Sequence, residues 1–139
     1  MQVDPAEMRE FAQRYTAAWC SQDAASVAAF FSPGGSLTIN NGTQAVGRIE
    51  IREAAQSFMT AFPNLQILMD DVVVQVDCVE YRWTLIGTNN GPGGSGHRVH
   101  ISGFEQWQIG TDRLIASSLG HFDTSDYLRQ IEGRVQRPQ

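Results

Sequence analysis

Apolar residues recur along this chain with two different periods, and the change between them divides it. From residue 8 to residue 62 the spacing is helical, and from residue 65 onward it mostly alternates. Met8, Phe11, Tyr15, Ala18 and Trp19 share one face of a first helix. Asp4 as N-cap, Pro5 at the first helical position and Glu7 placed to complete a capping box mark its start. A second helix is predicted to begin at Asp23, to bury Val27, Phe30 and Phe31, and to stop at Ser32-Pro33-Gly34-Gly35, where proline and paired glycines break the pattern. Residues 37–40 then read as a short strand. Ile51, Ala54, Ala55, Phe58, Met59 and Phe62 predict a third helix over 48–62, ended by Pro63.

Beyond that point the pattern is that of a sheet. In residues 65–77 the alternation changes phase, from Leu65, Ile67 and Met69 to Val72, Val74 and Val76, which predicts a bulge near Asp70-Asp71. Val79, Tyr81, Trp83 and Leu85 alternate with Glu80, Arg82 and Thr84 in a half-buried strand running to Thr88. A glycine-rich loop, 89–96, is expected to be mobile because its glycines impose little restraint. Strands over 97–109 and 113–122 follow, joined by the turn Gly110-Thr111-Asp112, and then a short helix, 124–132. Helices first and long strands after them indicate an α+β fold, with a mostly antiparallel sheet carrying its helices on one face. With no repeat and no linker, residues 1–133 read as a single domain and 134–139 as a polar C-terminal tail.

Composition narrows the partners. A chain of 139 residues, 42% of them hydrophobic, can bury a core of its own. A net charge of -5 argues against a nucleic-acid partner, since phosphate binding needs a basic surface. No apolar run approaches the roughly 20 residues that cross a bilayer, so no membrane partner is expected. The first ten residues lack the basic-then-apolar order of a signal peptide, and the expected location is cytoplasmic. Cys20 and Cys78 lack metal spacing and read as reduced thiols. His97 and His100 fall on opposite strand faces, so these two with His121 and Asp123 do not make a metal site, and no cofactor is expected. The loop from Asn90 to Gly96 joins two strands rather than opening a helix, which excludes a phosphate loop. A G-x-S-x-G nucleophile elbow is absent.

Glu105 is the most informative position. It shares strand parity with Val99, Ile101, Trp107 and Ile109, which sets a carboxyl group within an apolar row. Burial there disfavours the charged form and prepares a general acid, or a base poised near neutral pH. The structural alternative is an inward Glu paired with Arg82 or another cation. Tyr15 carries a hydroxyl into the core, either to donate to a substrate oxygen or to satisfy a backbone carbonyl. Asn40 ends the first strand as a site residue or a turn residue. Trp19, Trp83 and Trp107 are candidates for a pocket wall or for plain core.

The run Arg82-Trp83-Thr84-Leu85-Ile86-Gly87-Thr88-Asn89-Asn90-Gly91, the strand 99–107 and Gly120-His121-Phe122-Asp123 together resemble the SnoaL-like family of the nuclear transport factor 2 superfamily. The order of elements agrees over nearly the whole chain. The resemblance implies a cone-shaped curved sheet packed against three N-terminal helices and enclosing a pocket, and a homodimer. Val72, Val74 and Val76, on a face the helices would leave uncovered, add to the dimer expectation. Tyr15 resembles the oxyanion-holding tyrosine of ketosteroid isomerases, Glu105 stands at their protonated aspartic acid, and Asn40 matches an active-site asparagine of polyketide cyclases and of limonene epoxide hydrolase. The isomerases' aspartate base has no counterpart near Asn40. Gly120 stands where many cyclases and epoxide hydrolases carry a catalytic aspartate, and Ser118 where some cyclases carry an inward histidine. His121 and Asp123 would replace them only if a bulge turned them inward.

The expected function is therefore binding of a small apolar molecule, with proton transfer as a cofactor-independent isomerase, cyclase or hydrolase. Glu105 would be acid or base, with Tyr15 and Asn40 polarising a carbonyl or positioning water. Trp19, Phe30, Phe58, Met59, Phe62, Trp83 and Trp107 would exclude solvent, and Ser118 and Gly120 would line the deep end. The alternative is a noncatalytic ligand-binding or dimerisation domain of the same fold.

Overall fold

The computed structural model describes residues 4–133, so the expected tail lies outside the described residues. Helix α1 (Pro5–Cys20) starts as expected, with Asp4 Oδ1 accepting from the Ala6 amide at 3.1 Å. Glu7, expected to close a capping box, reaches Arg113 at 3.5 Å. Helix α2 (Ala24–Ala28) opens on Asp23, whose carboxylate accepts from the Ala25 amide and the Ser26 hydroxyl. It ends sooner than its sequence suggests. Phe31 already belongs to strand β1 (Phe31–Ile39), where it pairs in parallel with Ile115, and Phe30 is only half-buried. Ser32-Pro33-Gly34-Gly35 does not end the helix but forms an irregularity within the strand, since five steps along β1 match two along its partner. A bulge tolerates proline and glycine because its residues leave the hydrogen-bonded ladder.

Strand β2 (Ala45–Val46) leads directly into helix α3 (Gly47–Ala61), where Glu50 reaches back to accept from the Val46 amide at 2.8 Å. Then come β3 (Gln66–Val74), β4 (Val79–Thr88), β5 (Arg98–Ile109), β6 (Ile115–Phe122) and helix α4 (Thr124–Ile131). The six strands form one curved, unclosed sheet in the order β2-β1-β6-β5-β4-β3, antiparallel except for the β1–β6 pair. α1 lies against β3, and α3 against β1 and α2. Among the described residues no helix is long and apolar enough to cross a membrane.

The predicted bulge falls between Met69 and Asp71 and overturns the reading of the valines. By consuming one extra residue it returns Val72 to the face of Leu65 and Ile67, and all three are buried in the core. Val76 lies beyond the strand and is fully exposed. These valines therefore do not form an uncovered apolar face. The loop at 89–96 is also tied down. Asn89 donates its side-chain amide to the Ala61 carbonyl and accepts from the Ser95 amide, and the Gly91 amide donates to Ala61 as well.

The core centres on rings. Tyr15 meets Trp19, Phe30, Phe31, Tyr81 and Trp107 edge to face at centroid distances of 5.2–6.5 Å, and Tyr81 stacks on Trp107 at 4.9 Å. Each such pair contributes about 0.5–1.5 kcal/mol beyond its area, which fixes the first helix against the middle of the sheet.

Candidate functional site

Cross-strand register builds the site. Glu105 on β5 is opposite Tyr81 on β4 and Gly120 on β6, and alternation turns it to the helix-covered face with Trp107 two residues on. It is 8% exposed. The cation expected as its structural alternative is elsewhere, since Arg82 pairs with Glu80 at 2.7 Å. Three neutral donors converge on one carboxyl oxygen. Ser118 Oγ lies 2.8 Å, Trp107 Nε1 2.9 Å and Tyr15 Oη 3.1 Å from Glu105 Oε1. Among the described residues Oε2 has only the longer Tyr15 contact, 3.3 Å.

Burial raises the Glu105 pKa, and the hydrogen bonds from Trp107, Ser118 and Tyr15 pull it back only in part. Burial also raises the Tyr15 pKa well above its ordinary value of 10.0, and the neighbouring Glu105 adds to this, so the hydroxyl keeps its proton. The Trp19 ring meets Tyr15 edge to face at 6.5 Å between centroids, so Tyr15 is held by aromatic packing on one side and by Glu105 on the other.

Glu105 faces a cavity of about 570 Å³, counting its open mouth. Of the residues expected at its wall, Trp19, Phe58, Trp83 and Gly120 line it. Trp107 and Ser118 stand behind Glu105 as its hydrogen-bond donors, and Phe30, Met59 and Phe62 support the wall from the core. Leu37, Ile39, Ile67, Tyr81, Leu85, Ile101 and Phe122 also line the cavity. Inward parity on β4 and β5 marked Tyr81, Leu85 and Ile101 as core-facing, but sequence gave no way to separate wall from core.

Asn40 is not brought to Glu105. At positive φ (51°) it ends β1, its side-chain oxygen accepting from the Phe122 amide and its NH₂ donating to Thr124 Oγ1. It fastens the strand end to the start of α4. His121 packs its ring on Phe104, its cross-strand neighbour, and exposed Asp123 caps α4, so neither replaces a carboxyl at Gly120. A Cβ at Gly120 would meet nothing nearer than 3.7 Å. The room a larger side chain would take there is left beside Glu105. Among the described residues no three His, Cys, Asp or Glu side chains gather as a metal would require.

The sequence matches the SnoaL-like polyketide cyclase family over residues 9–131. No curated protein matches the chain. Solved structures share the fold. One is a SnoaL-like protein from Jannaschia sp. CCS1, 17% identical with a TM-score of 0.82, the match covering 97% of this chain and 99% of that one. Another is TsrD from Streptomyces laurentii, 23% identical with a TM-score of 0.80 over 96% and 100% of the two chains. A third is SalBIII, an epoxide hydrolase/cyclase-like enzyme with a role in pyran ring formation in the polyether salinomycin, 18% identical with a TM-score of 0.75 over 88% and 95%. At these identities the likeness is one of fold.

Proposed function

This chain belongs to the SnoaL-like polyketide cyclase family, and on that premise we propose that it binds a compact, largely apolar molecule in the cavity and moves a proton to or from it through Glu105, as a cofactor-independent isomerase, cyclase or hydrolase. One observation carries this reading: a carboxyl group buried in an aromatic setting, with three donors on Oε1 and Oε2 left almost without partners. In the neutral acid the proton belongs on Oε2, because Oε1 is already surrounded by donors. Transfer of that proton to a basic atom of the ligand leaves a negative charge that Tyr15, Trp107 and Ser118 are already aimed to hold. In the reverse direction the carboxylate takes a proton from an acidic C–H or from water. Aromatic walls keep solvent away from both states.

The second reading is a noncatalytic ligand-binding domain. Gly120 favours it, because no other carboxyl lines the cavity among the described residues and a partner acid or base for Glu105 would have to come from the ligand or water. We further propose a homodimer through the sheet face turned from the helices, where Leu68 and Leu119 are exposed and Ile86 and Phe104 half-buried.

Proton NMR of small ketones incubated with the protein in deuterium oxide separates the two readings. Enzyme-dependent loss of α-proton signal, reduced about a hundredfold or more in Glu105→Gln, is the expected result. Ligand shifts without exchange in the wild-type protein would leave the binding reading in its place.

A further inference from the structure

The wall of the cavity carries few polar groups, and most are already engaged. Thr16 donates to the Ala12 carbonyl, so the hydroxyl contact between Thr16 and Tyr81 uses the Tyr81 proton, and the Trp19 ring packs edge to face on Tyr15. Two groups remain. One is Glu105 Oε2. The other is Trp83 Nε1, which is buried with no hydrogen-bond partner among the described residues. A buried donor without an acceptor is destabilising, so such a group is uncommon unless something else satisfies it.

The position of Trp83 is built rather than incidental. It shares the inward parity of Tyr81 and Leu85, and the residue opposite it on β5 is Gly103. A Cβ at Gly103 would lie 2.6 Å from Trp83 Cζ2 and 2.3 Å from the His121 carbonyl oxygen, so only glycine lets the indole lie across the strand. Beyond it the Phe122 ring meets the indole edge to face, 6.1 Å between centroids, and both rings line the cavity.

We propose that the Trp83 indole N–H is a second hydrogen-bond donor to the ligand, so that the cavity selects compact apolar molecules bearing an acceptor oxygen such as that of a ketone, ester or cyclic ether. This rests on the reading of Glu105 as the group serving the same cavity. A saturated hydrocarbon leaves the indole unpaired, and a ligand whose only polar atom is a donor does the same. Trp83 thus sets specificity, whereas Glu105 handles the proton.

Acetophenone and α-methylstyrene test this, because they match in shape and differ in a carbonyl oxygen against a methylene. Wild-type protein is expected to bind acetophenone more tightly, and Trp83→Phe to lose about five- to tenfold of that preference. In ¹H–¹⁵N spectra of the wild-type protein, the indole signal assigned to Trp83 is expected to move downfield with acetophenone and not with α-methylstyrene, a readout that stands even if the variant folds poorly. Full retention of the preference in Trp83→Phe, or an indole signal that acetophenone leaves unmoved, would overturn the role of Trp83 while leaving Glu105 to be judged by deuterium exchange. Equal affinity of wild-type protein for both probes would overturn the acceptor-oxygen class itself.

Discussion

Glu105 is held between opposing effects of known sign. Burial favours the neutral acid, the three donors favour the carboxylate, and burial prevails. A carboxyl whose folded pKa lies above its unfolded value binds its proton more tightly in the native state. Its contribution is therefore fully present below the unfolded pKa and is lost as pH rises through the folded pKa. Glu105→Gln keeps a carbonyl oxygen for Ser118, Trp107 and Tyr15 but cannot ionise. Urea unfolding between pH 4 and 8 is expected to show the variant losing less stability than the parent as pH increases, and exceeding it at the alkaline end. A parent and variant that run parallel across this range would mean that Glu105 is not raised. The inward direction of Glu105 was legible because strand parity needs no partner, and Trp107, two residues on, shares that parity. Tyr15 is 90 positions away, and its contact with Glu105 depends on a helix meeting a sheet.

Two elements are fixed by contacts that local patterns do not carry. The glycine-rich loop reads as mobile from composition, yet its backbone lies against the end of α3. A Cβ at Gly91 would come within 2.0 Å of the Thr60 carbonyl oxygen and 2.9 Å of Ala61 Cα. Gly91→Ala must push the loop off the helix and is expected to cost about 1–3 kcal/mol. A thermal midpoint unchanged from the parent would show the loop to be as loose as its composition suggests. The second element is α4. The β5–β6 ladder reaches only Gly103, so β5 before that point has a free edge. Gln130 covers it, accepting from the His100 amide at 2.6 Å and donating to the His100 carbonyl at 3.1 Å. Tyr127 completes the docking against Phe62 and Phe122, and Phe122 is itself part of the cavity wall. Gln130→Ala is expected to speed exchange of the His100 amide by about tenfold, the loss of roughly one hydrogen bond. Unaltered protection of that amide would mean that the edge is covered by other means.

The sheet has one face buried by helices and one open, and the proposed assembly rests on what the open face exposes. Valines after the bulge had marked a different surface, but the bulge carries Val72 into the core. Leu68 on β3 and Leu119 on β6 are 39% and 46% exposed, and Phe104 and Ile86 lie half-buried on the strands between. Two copies joined there by a two-fold axis would cover these side chains without disturbing the cavity on the other face. Light scattering at micromolar concentration is expected to give twice the chain mass, and Leu68→Lys with Leu119→Lys to return the monomer. A monomer mass for the parent protein would remove the dimer.

The periods of the apolar residues were enough for the order of the four helices and the five longer strands, for the α+β class and for the inward face of Glu105, because helix and strand each repeat their geometry every few residues; the two-residue β2 is too short to carry a period. The cap at Asp4, the helix start at Asp23 and the bulge near Asp70 were likewise local and legible. The reach of α2, the bulge at Pro33-Gly34-Gly35, the anchoring role of Asn40 and the four-residue cluster of Glu105, Tyr15, Trp107 and Ser118 came only with the fold. Each depends on register between strands or on where a helix lands. Those are set by the summed packing of residues far apart in the chain, and no short stretch of sequence encodes them.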